Sequence, residues 1–220
     1  MVGGAVMIDS TFFDALVNDG LFGLLGHGIM LMAFLLAIFQ IKRWKQYWPA
    51  VYLLAAIIII MPIKDWTVIE FSRGYFADLS IATILVCLCY VLSGMRPQSI
   101  VISHTFKIMI LTMSAIIFPS SLGASEYNLF SLGFPSEAGF NYLVIGLALI
   151  AVLAWYKNET LIAIYIALVF LTYNLGLYTS QNLWIYMLDP IVMLIFLFSY
   201  LKFATQIIYV RVKGRLFSHV

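Results

Sequence analysis

Residues 21–41 contain no Asp, Glu, Lys or Arg, and the run stops abruptly at Lys42-Arg43-Trp44-Lys45. About 20 mostly apolar residues is the length that crosses a bilayer as a helix. Six more apolar runs follow, at about 48–63, 79–94, 99–118, 140–156, 160–178 and 184–201. The chain is 64% hydrophobic and 10% charged, against about 45–50% and ~25% in soluble domains. A soluble fold has no way to hide that much apolar surface. The expected fold is therefore all-α: a polytopic transmembrane helix bundle of about seven spans, forming a single transmembrane domain over residues 1–220. Seven spans take about 140 residues and leave no room for a soluble domain.

Charge placement gives an orientation. Cytoplasmic loops collect Lys and Arg. Seven crossings put Lys42, Arg43, Lys45, Arg96, Lys157, Lys202, Arg211, Lys213 and Arg215 on one side, and only Lys64 and Arg73 on the other. This predicts an outer N-terminus and a basic cytoplasmic tail at 202–220. Lys107 lies within the fourth span, which Ser103 and His104 also interrupt. That span either crosses in full, with Lys107 snorkelling to the inner surface, or begins as an interfacial helix at 98–107. The acids fall the other way: Asp9, Asp14, Asp19, Asp65, Glu70, Asp78, Glu126 and Glu137 outside, Asp189 near the outer end of span seven, and only Glu159 inside. The expected location is an integral membrane site, with short loops and unpaired thiols compatible with a bacterial inner membrane.

No basic segment precedes the first run, so a cleaved signal peptide is not expected. Residues 10–20 read as a short outer interfacial helix, with Thr11 and Asp14 at capping-box spacing. Cys87 and Cys89 point about 200° apart on a helix. They read as apolar fillers, neither a redox pair nor metal ligands.

Polar groups within a bilayer are expensive, so each is a candidate for function. Between spans two and three, Asp78 is placed to cap the third span. Arg73 can pair with Glu70 or Asp78, or hold a phosphate or carboxylate in its planar fork. The plainer reading is a cap with a structural ion pair. Residues 119–139 form the longest loop, carrying Glu126. It is either an outer lid or a segment that simply packs on the bundle. Asp189-Pro190 reads as a kink inside span seven, with freed carbonyls beside a carboxylate, or as a kink stabilised by a buried hydrogen bond. His27, among Gly20, Gly23, Gly26 and Gly28, lies where a neighbouring helix can approach closely. A packing histidine is its plainer role. The candidate outward pocket is thus Arg73, Asp78, Asp189, His27 and Glu126, ligand-binding in kind, with no catalytic set assigned.

Nucleotide-binding glycine motifs, GxSxG and HExxH are absent, so neither metal nor cofactor is expected. The Asn158-Glu159-Thr160 sequon falls inside and is expected to be unused. Seven-span retinal proteins resemble one another in a lysine midway along the seventh helix; residues 184–201 have none, so the likeness stops at span number. The basic residues sit at membrane edges, which excludes nucleic acid as a partner. The expected partners are the lipid bilayer and either another membrane protein or a lipid-linked ligand. The expected function is a non-catalytic subunit or accessory factor of a cell-envelope assembly. The alternatives are an enzyme acting on a lipid-linked or phosphorylated substrate at the outer face, and a small transporter. Few polar groups line the inner half, which weighs against a through-path.

Overall fold

The fold comes from a computed structural model, which describes residues 20–40, 45–96, 100–124 and 126–217. The interfacial helix expected at 10–20 (Gly20 apart) and the basic cluster at Lys42-Arg43-Trp44 lie outside the described residues. Those that are described form nine α-helices and one two-stranded ribbon. The helices are α1 (Leu21–Ile38), α2 (Trp48–Ile60), α3 (Val68–Phe76), α4 (Ile81–Met95), α5 (His104–Ser121), α6 (Phe140–Tyr156), α7 (Thr160–Asn174), α8 (Leu183–Met187) and α9 (Pro190–Phe217). The ribbon pairs β1 (Pro62–Ile63) with β2 (Trp66–Thr67) antiparallel.

Local chemistry explains most boundaries. Pro49 lies in the first turn of α2, where its missing N–H is lost to nothing. That helix ends at Ile60, short of the expected 63. Pro62 pushes Met61 out of the helical region, and the chain turns through the ribbon with Lys64 at φ 60°. Ser80 caps α4 and Ser103 caps α5, each accepting from the backbone N–H three residues on. α5 is one helix from His104 to Ser121, with Pro119 tolerated in its last turn. The segment read as a plain loop between the second and third runs contains α3. Thr67 and Glu70 close a capping box around its first turn.

Seven of the helices are long, and consecutive ones run antiparallel. The starts of α1, α4, α6 and α9 meet the ends of α5 and α7 at one end, hereafter the acidic end. Arg96, His104 and Lys157 lie at the other, basic end. α4 is the shared wall. On one side it joins α1 and α2 through Leu36, Tyr52, Tyr90 and Val91. There the Tyr52 hydroxyl donates to the Val91 carbonyl. On the other side it joins a core built from α5 to α9. At the centre of that core, Phe106 meets Tyr165 edge-on at 5.4 Å and Phe196 at 6.0 Å. Such aromatic pairs contribute about 0.5–1.5 kcal/mol each beyond area burial. The Tyr165 hydroxyl is satisfied by the Met187 carbonyl at 2.8 Å.

Among the described residues, one helix, α1, is both long and apolar enough to cross a membrane. α2, α4, α6, α7 and residues 190–206 of α9 are apolar but shorter. At 1.5 Å per residue, the 13 residues of α2 rise about 20 Å.

Candidate functional site

Several polar residues of the acidic end form one connected knot. Its first component is an ion pair. The capping box starts α3 at Val68, which brings Arg73 to its last turn. Arg73 Nε donates to Asp78 Oδ1 at 3.1 Å, and Nη1 donates to the Gly20 carbonyl at 2.8 Å. The glycines of α1 make this possible. A Cβ on Gly23 would lie 2.5 Å from Asp78 Oδ1 and 2.7 Å from Arg73 Nε, and one on Gly20 would strike the guanidinium itself. Gly20 also holds φ +66°, a left-handed conformation that favours glycine. The two side chains are 29% and 18% exposed, so one edge of the pair remains open.

The second component is His27, fully buried in α1. Its Nε2 lies 2.6 Å from the Ala77 carbonyl, and its Nδ1 lies 3.0 Å from Ser72 Oγ. A carbonyl only accepts, so Nε2 carries a hydrogen and donates it there; in the neutral ring Nδ1 then accepts a hydrogen bond from the Ser72 hydroxyl. Ala77 sits at φ 56°, ψ −161°, a region non-glycine residues seldom enter. Strain of this kind is about 1–3 kcal/mol and persists only where the surroundings over-determine it. Here the Ala77 N–H donates to the Arg73 carbonyl and its carbonyl accepts from His27.

The third component is Asp189. One oxygen accepts from the Ser80 N–H at 2.7 Å. The other accepts from Thr83 Oγ1 at 2.7 Å and from the Val192 N–H at 2.9 Å. This corrects two expectations. Span seven does not kink at Asp189-Pro190: it breaks between α8 and α9, with Leu188 extended. Pro190 occupies the first position of a new helix, where its lost N–H costs nothing, and Asp189 is that helix's N-cap. Nor does Asp78 cap α4. Ser80 does so, leaving Asp78 to Arg73. Because Ser80 is two residues from Asp78, the Arg73–Asp78 pair and Asp189 are adjacent parts of one site. The Tyr178 hydroxyl closes it by donating to the Leu79 carbonyl.

Of the five residues singled out from the sequence, Arg73, Asp78, Asp189 and His27 meet here. Glu126 does not. It is exposed in the loop after α5 and makes no hydrogen bond or ion pair among the described residues. That loop folds back on the bundle. Asn182 Nδ2 donates to the Phe130 carbonyl at 3.0 Å, Trp184 Nε1 to the Leu129 carbonyl at 3.1 Å, and the Leu129 N–H to Ser120 Oγ at 2.6 Å. Ser72, Ser80, Thr83 and Tyr178 are site residues to which sequence reasoning gave no individual role. Ser80 alone carried a signal, as an N-cap residue ahead of an apolar helix.

Two half-buried carboxylates are perturbed, one near each end. Glu70 accepts from the Thr67 N–H at 2.7 Å and the Thr67 hydroxyl at 2.8 Å. These bonds hold its pKa below the ordinary 4.5. Glu159 is likewise lowered, first by the Thr105 hydroxyl at 2.6 Å and then by Ser103.

Chemically, the knot is a clamp joining α1, α3, α4 and α9. Both nitrogens of His27 and both oxygens of Asp189 are engaged by other parts of the chain. Among the described residues, no group of three or more His, Cys, Asp or Glu could hold a metal ion. No protein-family model matches the chain, no curated protein matches it in sequence, and no solved structure matches it.

Proposed function

We propose that this chain is a seven-span helical protein of a bacterial inner membrane, with its N-terminus outside, serving as a non-catalytic subunit or accessory factor of a cell-envelope assembly. The antiparallel order of the long helices supports the span number, and the segregation of basic residues supports the orientation. The observation that carries the non-catalytic reading is the closed bonding of the knot. A catalytic acid or base must reach a substrate proton, and His27 and Asp189 are already bound within the protein. Meanwhile Phe34, Leu53, Ile57, Ile145, Val152 and Trp155 are each more than half exposed. Apolar surface of that extent calls for lipid or a partner. Extraction into native lipid discs, followed by mass measurement, tests the proposal. The expected result is a stoichiometric complex with another membrane protein, with reporter fusions placing the 157–159 loop inside. A lone chain that turns over a lipid-linked substrate overturns it.

A second reading, an outer-face enzyme or binder of a phosphorylated lipid-linked substrate, has one observation in its favour. The Arg73 side chain keeps 29% of its surface open, and a guanidinium suits a phosphate. Arg73→Lys separates the two readings. It abolishes substrate turnover on the second and leaves complex formation intact on the first.

A further inference from the structure

Two adjoining cavities follow the seam between α4 and α9, and their linings differ in chemistry. The larger, about 520 Å3, is closed on its third side by α1 and is lined by apolar side chains, among them Ala33, Ala37, Val86 and Ile191. The smaller, about 220 Å3, shares Val86, Tyr90 and Ile195 with it and adds Ser93, Ser199 and Lys107. The spacing shows that this is one groove. Ala33 and Ala37 on α1, Val86, Tyr90 and Ser93 on α4, and Ile191, Ile195 and Ser199 on α9 each form a single stripe at helical intervals. Along α9 the groove extends about 12 Å at 1.5 Å per residue. Its larger chamber lies within the usual pocket range of about 300–1,000 Å3.

Polarity along the groove changes in one direction. The chamber toward the acidic end offers hydrocarbon; the chamber toward the basic end offers hydroxyls and a cation. Lys107 is half-buried there, and its side-chain ammonium makes neither a hydrogen bond nor an ion pair among the described residues. A cation within an apolar helix is expensive unless it pairs or reaches water. What complements both chambers at once is an amphiphile with an anionic head and a hydrocarbon tail. On the topology argued above, the basic end faces the cytoplasm, so the head would lie at the level of the inner leaflet.

We infer that this groove holds one anionic glycerophospholipid of the inner leaflet, its phosphate at Lys107 and one acyl chain in the larger cavity. The inference rests on the membrane reading and is independent of the accessory role. The test begins by showing that the full chain stays in carbonate-washed membranes. The purified chain then goes into phosphatidylcholine discs containing a little phosphatidylglycerol with a photoactivatable group on its tail, and adducts are mapped by peptide mass. Adducts concentrated on the α4 and α9 stripes are expected. Lys107→Gln lowers their yield about fivefold, the worth of one lysine near an anionic lipid. Lys107→Arg restores it, and Ala37→Phe, which fills the chamber from an exposed wall position, also lowers it. A tail-labelled phosphatidylcholine probe is expected to be indifferent to Lys107→Gln. Adducts scattered over the exposed faces of α2 and α6, Lys107→Gln labelling like the parent, or a co-purified protein helix shielding the groove would each overturn the lipid site. Release of the chain by carbonate overturns the membrane reading itself. Retention with an unaffected Lys107→Gln overturns only the lipid.

Discussion

The two ends of the bundle treat charge in opposite ways. At the acidic end, Asp189 gathers donors from α4 and α9, Arg73 bridges Asp78 and the start of α1, and His27 ties α1 to the α3–α4 turn. At the basic end the links are few. Thr105 meets Glu159, His104 lies 3.4 Å from Tyr200, and Lys107 is left alone. On the membrane reading proposed above, apolar packing between helices is weakly directional, because lipid tails are as apolar as Leu. Hydrogen bonds and small-residue contacts then decide which helix sits where. On that reading the acidic end, with more inter-helix hydrogen bonds, sets the arrangement of the bundle more than the basic end does.

The sharpest way to break this contrast is Asp189→Ala. It deprives three donors and removes an N-cap, for which ~1 kcal/mol for the cap and 1.5–3 kcal/mol for bonds to a charged group give a loss of about 2–4 kcal/mol. Thermal unfolding in detergent checks it, and Asp189→Asn, which still caps, should lose clearly less. Next comes Gly23→Ala, whose Cβ meets the Arg73–Asp78 pair. About 1–3 kcal/mol is expected for this overpacking. It should be strongly non-additive with Asp78→Ala, because both strike the same contact. Losses that simply add would show that the pair is not what the glycine accommodates.

Ala77→Gly should move the other way. It relieves strain of about 1–3 kcal/mol against an entropic cost of about 0.5–1 kcal/mol for glycine, for a net gain near 1 kcal/mol. Lys107→Gln, at the open end, should shift stability by less than about 0.5 kcal/mol. An effect as large as that of Asp189→Ala would abolish the distinction between the ends. The smallest effect concerns pH. Glu70 is held below 4.5, so its contribution to the capping box is present above that value and is lost as pH falls through its lower, folded-state value. Amide exchange at Thr67 should quicken in that acid range, and Glu70→Gln, which keeps the box without the charge, should remove the pH dependence.

How much of this could be read in advance differs along the chain. The run at 140–156 coincides with α6 because no charged residue interrupts it and Lys157 follows directly. α3 was concealed by its own amphipathicity. Glu70, Ser72 and Arg73 give it the composition of a loop, although Thr67 and Glu70 stand at capping-box spacing. Asp189-Pro190 was ambiguous for a different reason. An acid before a proline suits both a kinked helix and a fresh start, and the outcome turns on whether Leu188 is helical. The choice of Ser80 and Thr83 by Asp189 depends on contacts across 109 and 106 residues. No local pattern encodes those.

That separation also has a meaning in time. At the usual synthesis rate of about 5–20 residues per second, Ser80 and Thr83 are made about 5–20 s before Asp189 exists. During that interval the first helices have been delivered without the acceptor that will finally engage them. The clamp is therefore completed only once residue 189 has been made, and a nascent chain halted before it should leave Thr83 without the acceptor that it has in the fold.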